Sequence, residues 1–205
     1  MFEYSLSEVK KIVLALKSNS PWRDDSLDDI KKRLKTFLIS KQEQRCCYCQ
    51  RNIKGEFLFV LDIEHILPKS IFNHCIFDLS NLAVACKRCN MYIKKNRIDF
   101  FNPTHEKNRQ LKHRLFKSEL YYFAHPNLDN SKEHLYYIMH DDSRCPLKYM
   151  KYYYMTGKGR YTYEYFKLNE FEEYTLNKSQ GIEDVINPDD EANLYLAALL
   201  DDKFQ

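Results

Sequence analysis

The sequence has no apolar run long enough to span a bilayer, and its first residues, MFEYSLSEVKK, lack the layout of a secretory signal peptide. It also has no internal repeat and no low-complexity tract. Neither sign of charge dominates, because the net charge is only +3. These absences argue against a membrane partner or a repeat array. Because 44% of the residues are hydrophobic and 30% are charged, we expect a soluble, globular, cytoplasmic protein.

Charge is unevenly distributed along the chain. Residues 86–117 contain ten Lys or Arg against two acidic residues, whereas residues 182–205 contain seven acids against one Lys. A basic centre favours a polyanionic ligand such as nucleic acid, and an acidic tail is compatible with a protein partner.

Two C-x-x-C pairs stand out among the seven cysteines: Cys46 with Cys49, and Cys86 with Cys89. Such spacing is typical of metal ligands in a reducing compartment rather than of disulfides. Four thiolates grouped two and two suit a tetrahedral zinc ion. Cys47 could replace Cys46 only at the less usual C-x-C spacing, so we assign Cys46 as the ligand.

Polar residues of a different kind lie between and just after these pairs, namely Glu64, His65, Asn81 and Asn90. A carboxylate, an imidazole and an amide suit a harder cation and a water molecule to be activated, rather than a second structural zinc. The combination predicts a zinc-braced site for phosphodiester chemistry. Because neighbouring residues of a regular strand face opposite ways, Glu64 and His65 can share one site only near a strand end or beside a facing helix.

The periodicity predicts an α+β fold. A capping box, Ser5 with Glu8, starts a helix over residues 5–18, and a second helix begins near Ser26. An aromatic and β-branched run predicts a strand from Phe57 to Ile66, and a helix should follow from Cys86 to Arg97. Strand, loop and helix together make a ββα unit.

The second half is rich in tyrosine, with thirteen of the sixteen tyrosines beyond residue 120, which favours strands and short helices. Lys158-Gly159 indicates a turn between strands, and residues 190–201 form a plausible terminal helix. We therefore divide the chain into an N-terminal helical segment (1–44), a metal-binding core (45–103) and a C-terminal α+β extension (104–205) that is a possible partner-binding region.

Glu64-His65, Asn81 and Cys86-x-x-Cys89-Asn90, framed by Cys46-x-x-Cys49, resemble the HNH endonuclease motif, in the zinc-braced branch of the ββα-metal nucleases. The resemblance covers about fifty residues. It implies a ββα-metal core with a four-cysteine zinc site, and a metal-dependent endonuclease that hydrolyses phosphodiester bonds in DNA.

The same resemblance implies a role for each residue of the motif. His65 would be the general base, and Glu64 and Asn90 would hold one catalytic divalent cation, Mg²⁺ or Mn²⁺. Asn81 would fix the loop by hydrogen bonds to backbone and so orient His65. The thiolates of Cys46, Cys49, Cys86 and Cys89 would bind a structural zinc.

This sequence departs from the family pattern at two positions. The acid before the histidine is often Asp and here is Glu64. The lysine often found three residues after Cys-Asn is replaced by Ile93, with Lys94 one step later. The second departure puts in doubt any phosphate contact carried over to that lysine.

A weaker similarity extends past the core. His125-Pro126-x-x-Asp129, His134 and the later Lys158-Gly159…Lys167-Leu168-Asn169 resemble the tail of small HNH subunits of prokaryotic antiphage systems, of the Septu and retron-associated kinds, which work beside an ATPase. The resemblance implies a defence nuclease with an ATPase partner. His125, Asp129 and His134 could form a second polar site, or could make ordinary turn and core hydrogen bonds.

The alternative hypothesis is a non-catalytic zinc-knuckle protein that binds nucleic acid or acts as a scaffold. The basic run over residues 86–117 would serve such a protein equally well. Glu64 and Asn90 speak against it, because a pure binder gains nothing from a carboxylate placed where phosphate should lie.

Overall fold

The computed structural model describes residues 2–102, 111–141 and 148–174. The chain divides into two compact units, one comprising Met1–Tyr137 with Tyr152–Glu170, and the other comprising Ile138–Lys151 with the segment that starts at Phe171. Helices and small antiparallel sheets alternate in the described part, which confirms the α+β class. No helix among these residues is both long and apolar enough to cross a membrane.

Two helices begin the first unit, α1 (Leu6–Ala15) and α2 (Asp28–Lys41). The predicted capping box is present: the hydroxyl of Ser5 accepts from the amide of Glu8 at 3.2 Å, and the carboxylate of Glu8 accepts from the amide of Ser5 at 2.7 Å. Satisfying two otherwise unpaired N–H groups fixes the start of α1. The buried side of α1 then packs against the start of α2 through four residues, Ile12, Ala15, Leu27 and Ile30.

Strands β1 (Leu61–His65) and β2 (Leu82–Cys86) form a two-stranded antiparallel sheet, in which Ile63 lies opposite Val84. The prediction placed the first strand over Phe57–Ile66, but Leu58–Val60 instead forms a 3₁₀ turn. The ammonium of Lys35 explains the difference. It donates to the carbonyls of Leu58 and Leu61, each at 2.6 Å, and so occupies acceptors that a longer strand would use for pairing.

Strand β2 is buried along its whole length, which accounts for its unbroken apolar sequence LAVAC. Helix α2 packs on it through the stripe of Ile30, Leu34 and Leu38. The side chain of Gln42 closes the outer edge of the strand. Its amide oxygen accepts from the Val84 N–H at 2.7 Å, and its amide nitrogen donates to the Val84 carbonyl at 2.9 Å.

The helix that completes the ββα unit spans Arg88–Lys94 and is a π-helix rather than the longer α-helix predicted over Cys86–Arg97. Its wide turn is closed by a bond from the amide of Lys95 to the carbonyl of Asn90 at 2.8 Å, five residues apart. Lys95 ends the helix in a left-handed conformation with φ of 53°. Cys86 therefore closes strand β2, and Cys89 lies within the helix.

Beyond the core come α3 (Lys112–Leu115), α4 (Ser131–His134), β3 (Leu135–Asp141), β4 (Lys148–Tyr154), α5 (Gly157–Tyr165) and β5 (Glu173–Tyr174). The last three strands form one sheet in the order β3-β4-β5. The short helices and strands agree with the general prediction for the Tyr-rich half. The terminal helix predicted over 190–201 lies outside the described residues.

The predicted turn at Lys158-Gly159 is wrong, because both residues lie in helix α5. Thr156 caps that helix, with its hydroxyl accepting from the amide of Gly159 at 3.1 Å. A Cβ on Gly159 would lie 1.9 Å from the carbonyl oxygen of His134. Glycine is therefore required here by close packing of α5 against α4, and not by a chain reversal.

Candidate active site

The four predicted zinc ligands converge. The Sγ atoms of Cys46, Cys49, Cys86 and Cys89 all lie within 4.8 Å of one another, and all four side chains are buried. Sulfurs held tetrahedrally at about 2.3 Å from zinc are separated by about 3.8 Å. The observed separation of 4.0 Å between Cys49 and Cys86 is close to that distance, so the tetrad could bind zinc.

Cys47 stays outside this cluster, as expected. Its backbone amide donates to the carbonyl of Val84 at 3.0 Å, which ties the cysteine turn to strand β2. Burial raises the pKa of its thiol well above the usual range, and the neighbouring Cys46 acts in the same direction. Cys47 is therefore a neutral, buried thiol.

Tyr48, inside the same turn, connects the cysteine cluster to the carboxylate of Glu64. Its hydroxyl donates to Glu64 Oε1 at 3.1 Å, and its ring stacks on Phe166 at a centroid distance of 4.3 Å. The sequence analysis did not single out this residue. The sequence signal for a role of Tyr48 is its position between two predicted zinc ligands, because a metal bound by both would fix its backbone.

Asp62 and Glu64 lie two apart on strand β1 and so face the same side of the sheet. The amide nitrogen of Asn90 donates to Asp62 Oδ2 at 3.0 Å, whereas Glu64 accepts at 2.6 Å from the ammonium of Lys94. The predicted cation ligands Glu64 and Asn90 therefore both lie at strand β1, but they have different partners. Asn90 bonds to Asp62, and Glu64 bonds to Lys94. Asp62 is an additional acid at this site that the sequence analysis missed.

Lys94 is the most buried charge of the site, since its side chain is 1% exposed and that of Glu64 is 3% exposed. Its ammonium also donates to the carbonyl of His65 at 3.1 Å. Burial raises the pKa of Glu64 above its usual value, while Lys94 and the hydroxyl of Tyr48 act in the opposite direction. Lys94, which lies one position later than the lysine of the family pattern, is thus a counter-ion for Glu64.

His65 is held from two sides. Its Nε2 lies 3.1 Å from the carbonyl oxygen of Ile76, and the ring of Trp22 packs edge-on against it at a centroid distance of 4.5 Å. Because a carbonyl only accepts, Nε2 carries the proton and Nδ1 keeps its lone pair. Burial, with a further contribution from Lys69, lowers the pKa of His65 to about 3. The imidazole is therefore neutral at physiological pH with its lone pair at Nδ1, and its lowered pKa makes it a weaker base than a free histidine.

Asn81 fixes the loop that supplies the carbonyl of Ile76. Its Oδ1 accepts from the amide of Leu67 at 2.7 Å, and its Nδ2 donates to the carbonyls of Leu67 at 3.0 Å and Cys75 at 3.2 Å. Asn81 is fully buried, so each of these bonds is protected from water. The loop between the two strands is thereby held at both ends.

A cleft of about 780 Å³ lies beside His65, between residues 16–23 and 69–76. Trp22 and Ile76, the two residues that contact the imidazole, both line it. Among the described residues that line it, Arg23 and Lys69 are cationic and none is Asp or Glu. Burial lowers the pKa of Lys69, and the charge of Arg23 adds to that effect while Glu64 opposes it.

His125, Asp129 and His134 do not form a shared cluster. Asp129 accepts from Lys158 Nζ at 2.8 Å and from the backbone amide of His125 at 2.7 Å. The Nδ1 of His134 instead lies 2.7 Å from the hydroxyl of Thr156. These are the contacts of turns and helix ends, which agrees with the structural alternative for these residues.

Residues 46–100 match the family model described as HNH endonuclease. The match agrees with the ββα arrangement and with a cysteine tetrad that could bind zinc, and it confirms the resemblance to the HNH endonucleases over this segment.

One curated relative is 32% identical to this chain over 60 residues, the Septu protein PtuB of Bacillus thuringiensis. The aligned segment covers 29% of this chain and 23% of the relative, so the chain spans less than a quarter of that protein's length. No solved structure matches the chain.

Proposed function

We propose that this protein is a metal-dependent endonuclease that hydrolyses phosphodiester bonds in DNA through His65, as the nuclease of a prokaryotic antiphage system. The observation that carries the proposal is the environment of His65. The hydrogen bond from Nε2 to the carbonyl of Ile76 leaves the lone pair on Nδ1, which is the atom that would take the proton, although burial weakens it as a base. That carbonyl also stabilises the imidazolium formed when Nδ1 takes a proton from water.

Oxygen donors suited to a hard divalent cation lie on the same strand. The carboxylates of Asp62 and Glu64 and the amide oxygen of Asn90 would hold Mg²⁺ or Mn²⁺, which would stabilise negative charge on the phosphate and the leaving oxygen. The ammonium of Lys94 occupies Oε1 of Glu64 at 2.6 Å, so a divalent cation at Glu64 would have to bind through Oε2. Both contacts of Glu64 use Oε1, and no hydrogen bond to a described residue uses Oε2.

The other predicted residues support this chemistry indirectly. Asn81 holds the loop whose Ile76 carbonyl orients His65, so it is a positioning residue. The zinc-bound tetrad would fix Tyr48 against Glu64. The local excess of Lys and Arg over residues 86–117 favours a polyanionic substrate.

The defence role and the partner rest on similarity. The similarity to the Septu protein PtuB over 60 residues supports a defence role. The resemblance of the C-terminal half to antiphage subunits supports an ATPase partner. An acidic, leucine-bearing C-terminal sequence suits such a partner. In a phage-plating assay, we expect protection from this gene together with a neighbouring ATPase gene, and loss of protection in His65→Ala.

A nicking assay on supercoiled plasmid tests the catalytic proposal. Wild-type protein with millimolar Mg²⁺ or Mn²⁺ should produce nicked circles, and His65→Ala should reduce the rate about 10²- to 10⁴-fold without changing zinc content or folding. Lys10→Gln, on the exposed side of α1, serves as the control. Undiminished cleavage by His65→Ala would refute the assignment of the general base.

A non-catalytic nucleic-acid-binding module is the second candidate. It is favoured by the closure of the site, since His65 is only 6% exposed beneath Trp22. Plasmid that stays supercoiled with either cation, although the protein binds DNA, would support this second candidate.

A further inference from the structure

The cleft beside His65 has a lining whose chemistry the proposed reaction leaves unused. It lies between the linker that follows α1 and the loop that Asn81 fixes. Trp22 forms part of its wall and also contacts the imidazole of His65. A group bound in the cleft would therefore lie next to the proposed general base.

The chemistry of the cleft is that of an anion site with an aromatic wall. Its lining includes the exposed cations Arg23 and Lys69 and neutral polar residues such as Ser70 and Asn73, with no carboxylate. No ion pair joins Arg23 or Lys69 to another residue in the described part of the chain. Two cations that form no ion pair with a described residue, next to an indole ring, suit a phosphate backbone and a base that stacks.

The size of the cleft favours a single strand over a duplex as the ligand. A volume of about 780 Å³ lies within the roughly 300–1,000 Å³ range of small-ligand pockets. Such a pocket accepts one or two nucleotides of one strand, but it does not accept a base-paired helix.

The turn that carries Trp22 is held in place before any ligand binds. Pro21–Arg23 forms a 3₁₀ turn, and the ammonium of Lys31 donates to the carbonyls of Trp22 at 3.3 Å and Asp24 at 3.4 Å. Phe77 packs against the indole at a centroid distance of 5.5 Å. The indole is thus in position before a ligand binds, and the turn that carries it does not have to become ordered on binding.

We propose that this cleft binds an unpaired DNA strand next to the scissile phosphate, with Trp22 stacking on a base and Arg23 and Lys69 contacting phosphates. This inference rests on the proposed nuclease function, because it makes the cleft part of the substrate site. It further specifies the substrate as DNA that is single-stranded, or opened, beside the cleavage position.

Trp22 provides a direct probe, because it is the only tryptophan in the sequence. Zinc-loaded wild-type protein without Mg²⁺ is titrated with a short single-stranded oligonucleotide carrying a fluorescent label. Tryptophan emission and label anisotropy are recorded in parallel. We expect saturable quenching of Trp22 that follows the anisotropy. A blunt duplex of the same sequence should bind without that quenching.

Variants then assign the contacts. Trp22→Ala should weaken binding about 5- to 150-fold, the range for loss of one stacked base. Arg23→Gln and Lys69→Gln should each lower the slope of log affinity against log salt by about 0.7, the value for one phosphate of a single strand. Lys10→Gln, an exposed lysine of α1 outside the cleft, should change neither quantity.

Three results would overturn the proposal. One is binding that leaves Trp22 emission unchanged, or no measurable binding at all. Another is equal quenching by the duplex, or stronger quenching by an RNA strand of the same sequence. The third is a salt slope for Arg23→Gln and Lys69→Gln equal to that of the lysine control. None of these measurements requires cleavage, so a failed nicking assay alongside normal quenching would reject the catalytic proposal while retaining the strand site.

Discussion

The buried pair of Lys94 and Glu64 gives a sharp test of how the site is held together. At the observed 2.6 Å, two unit charges attract by about 6 kcal/mol with an effective dielectric constant of 20. Removing both charges from water costs several kcal/mol per ion, so the net contribution of the intact pair to stability is small. Removing one partner leaves the other charge buried and unpaired, which costs about 3–5 kcal/mol.

We therefore expect Lys94→Met and Glu64→Gln each to lower the free energy of unfolding by about 3–5 kcal/mol. The double variant should lose less than either single variant, because no charge is then left unpaired and the amide oxygen introduced by Glu64→Gln still accepts from the hydroxyl of Tyr48. Urea denaturation of the zinc-loaded proteins measures all four corners of this double-mutant cycle.

The matched control is Arg160→Met, at an exposed pair with Glu164 on α5, which should leave the urea midpoint unchanged. If the losses of the two single variants simply add in the double variant, the interpretation of Lys94 as counter-ion to Glu64 is incorrect. A loss below about 1 kcal/mol for Lys94→Met would be equally incompatible with a buried, unpaired carboxylate.

Three further perturbations test other parts of the structure. Cys86→Ser should release zinc and unfold the HNH domain, since structural zinc supplies folding free energy directly; zinc content and circular dichroism measure this. Gly159→Ala should lose about 1–3 kcal/mol in a urea titration, because its Cβ would collide with the carbonyl of His134, whereas Gly157→Ala, with open space around it, should be neutral or slightly stabilising. Burial lowers the pKa of His125 to about 3, so the folded protein binds fewer protons than the unfolded chain between pH 6.5 and 3, and stability falls as the pH drops through that window. His125→Gln should remove about 2 kcal/mol of the stability difference between pH 7 and pH 5, and an unchanged difference would show that this imidazole is not buried in its neutral form.

Features set by residues close in sequence were predictable. C-x-x-C spacing brings the two sulfurs within each pair to one side of a turn, so the approach of Cys46 to Cys49 and of Cys86 to Cys89 was predictable. The capping box of Ser5 and Glu8 follows from a four-residue pattern in the same way. The α+β class followed from the succession of periodicities. In each case the interaction is local, so the chain has few alternatives.

Features set by distant residues were not predictable. The contact of Trp22 with His65 joins positions 43 residues apart, and the bond from Asn90 to Asp62 spans 28. Gly159 was misassigned for the same reason, because the atom that excludes a side chain there belongs to a residue on another helix. The π-helical segment Arg88–Lys94 also packs against β2, and the helix propensities of single residues do not include such packing.

The hydrogen bond from Tyr48 to Glu64 makes the outcome of chelation ambiguous in this protein. Tyr48 sits between two cysteines of the tetrad, so a chelator that removed zinc from the tetrad would also release the hydroxyl that donates to Glu64. A loss of activity in EDTA would then reflect removal of zinc from the cysteine tetrad as much as removal of the proposed catalytic cation. The informative protocol is dialysis against a weak chelator that spares thiolate-bound zinc, followed by stepwise return of Mg²⁺. Oxidation of the thiols would release the Tyr48 hydroxyl by the same route, at a distance from Glu64 itself.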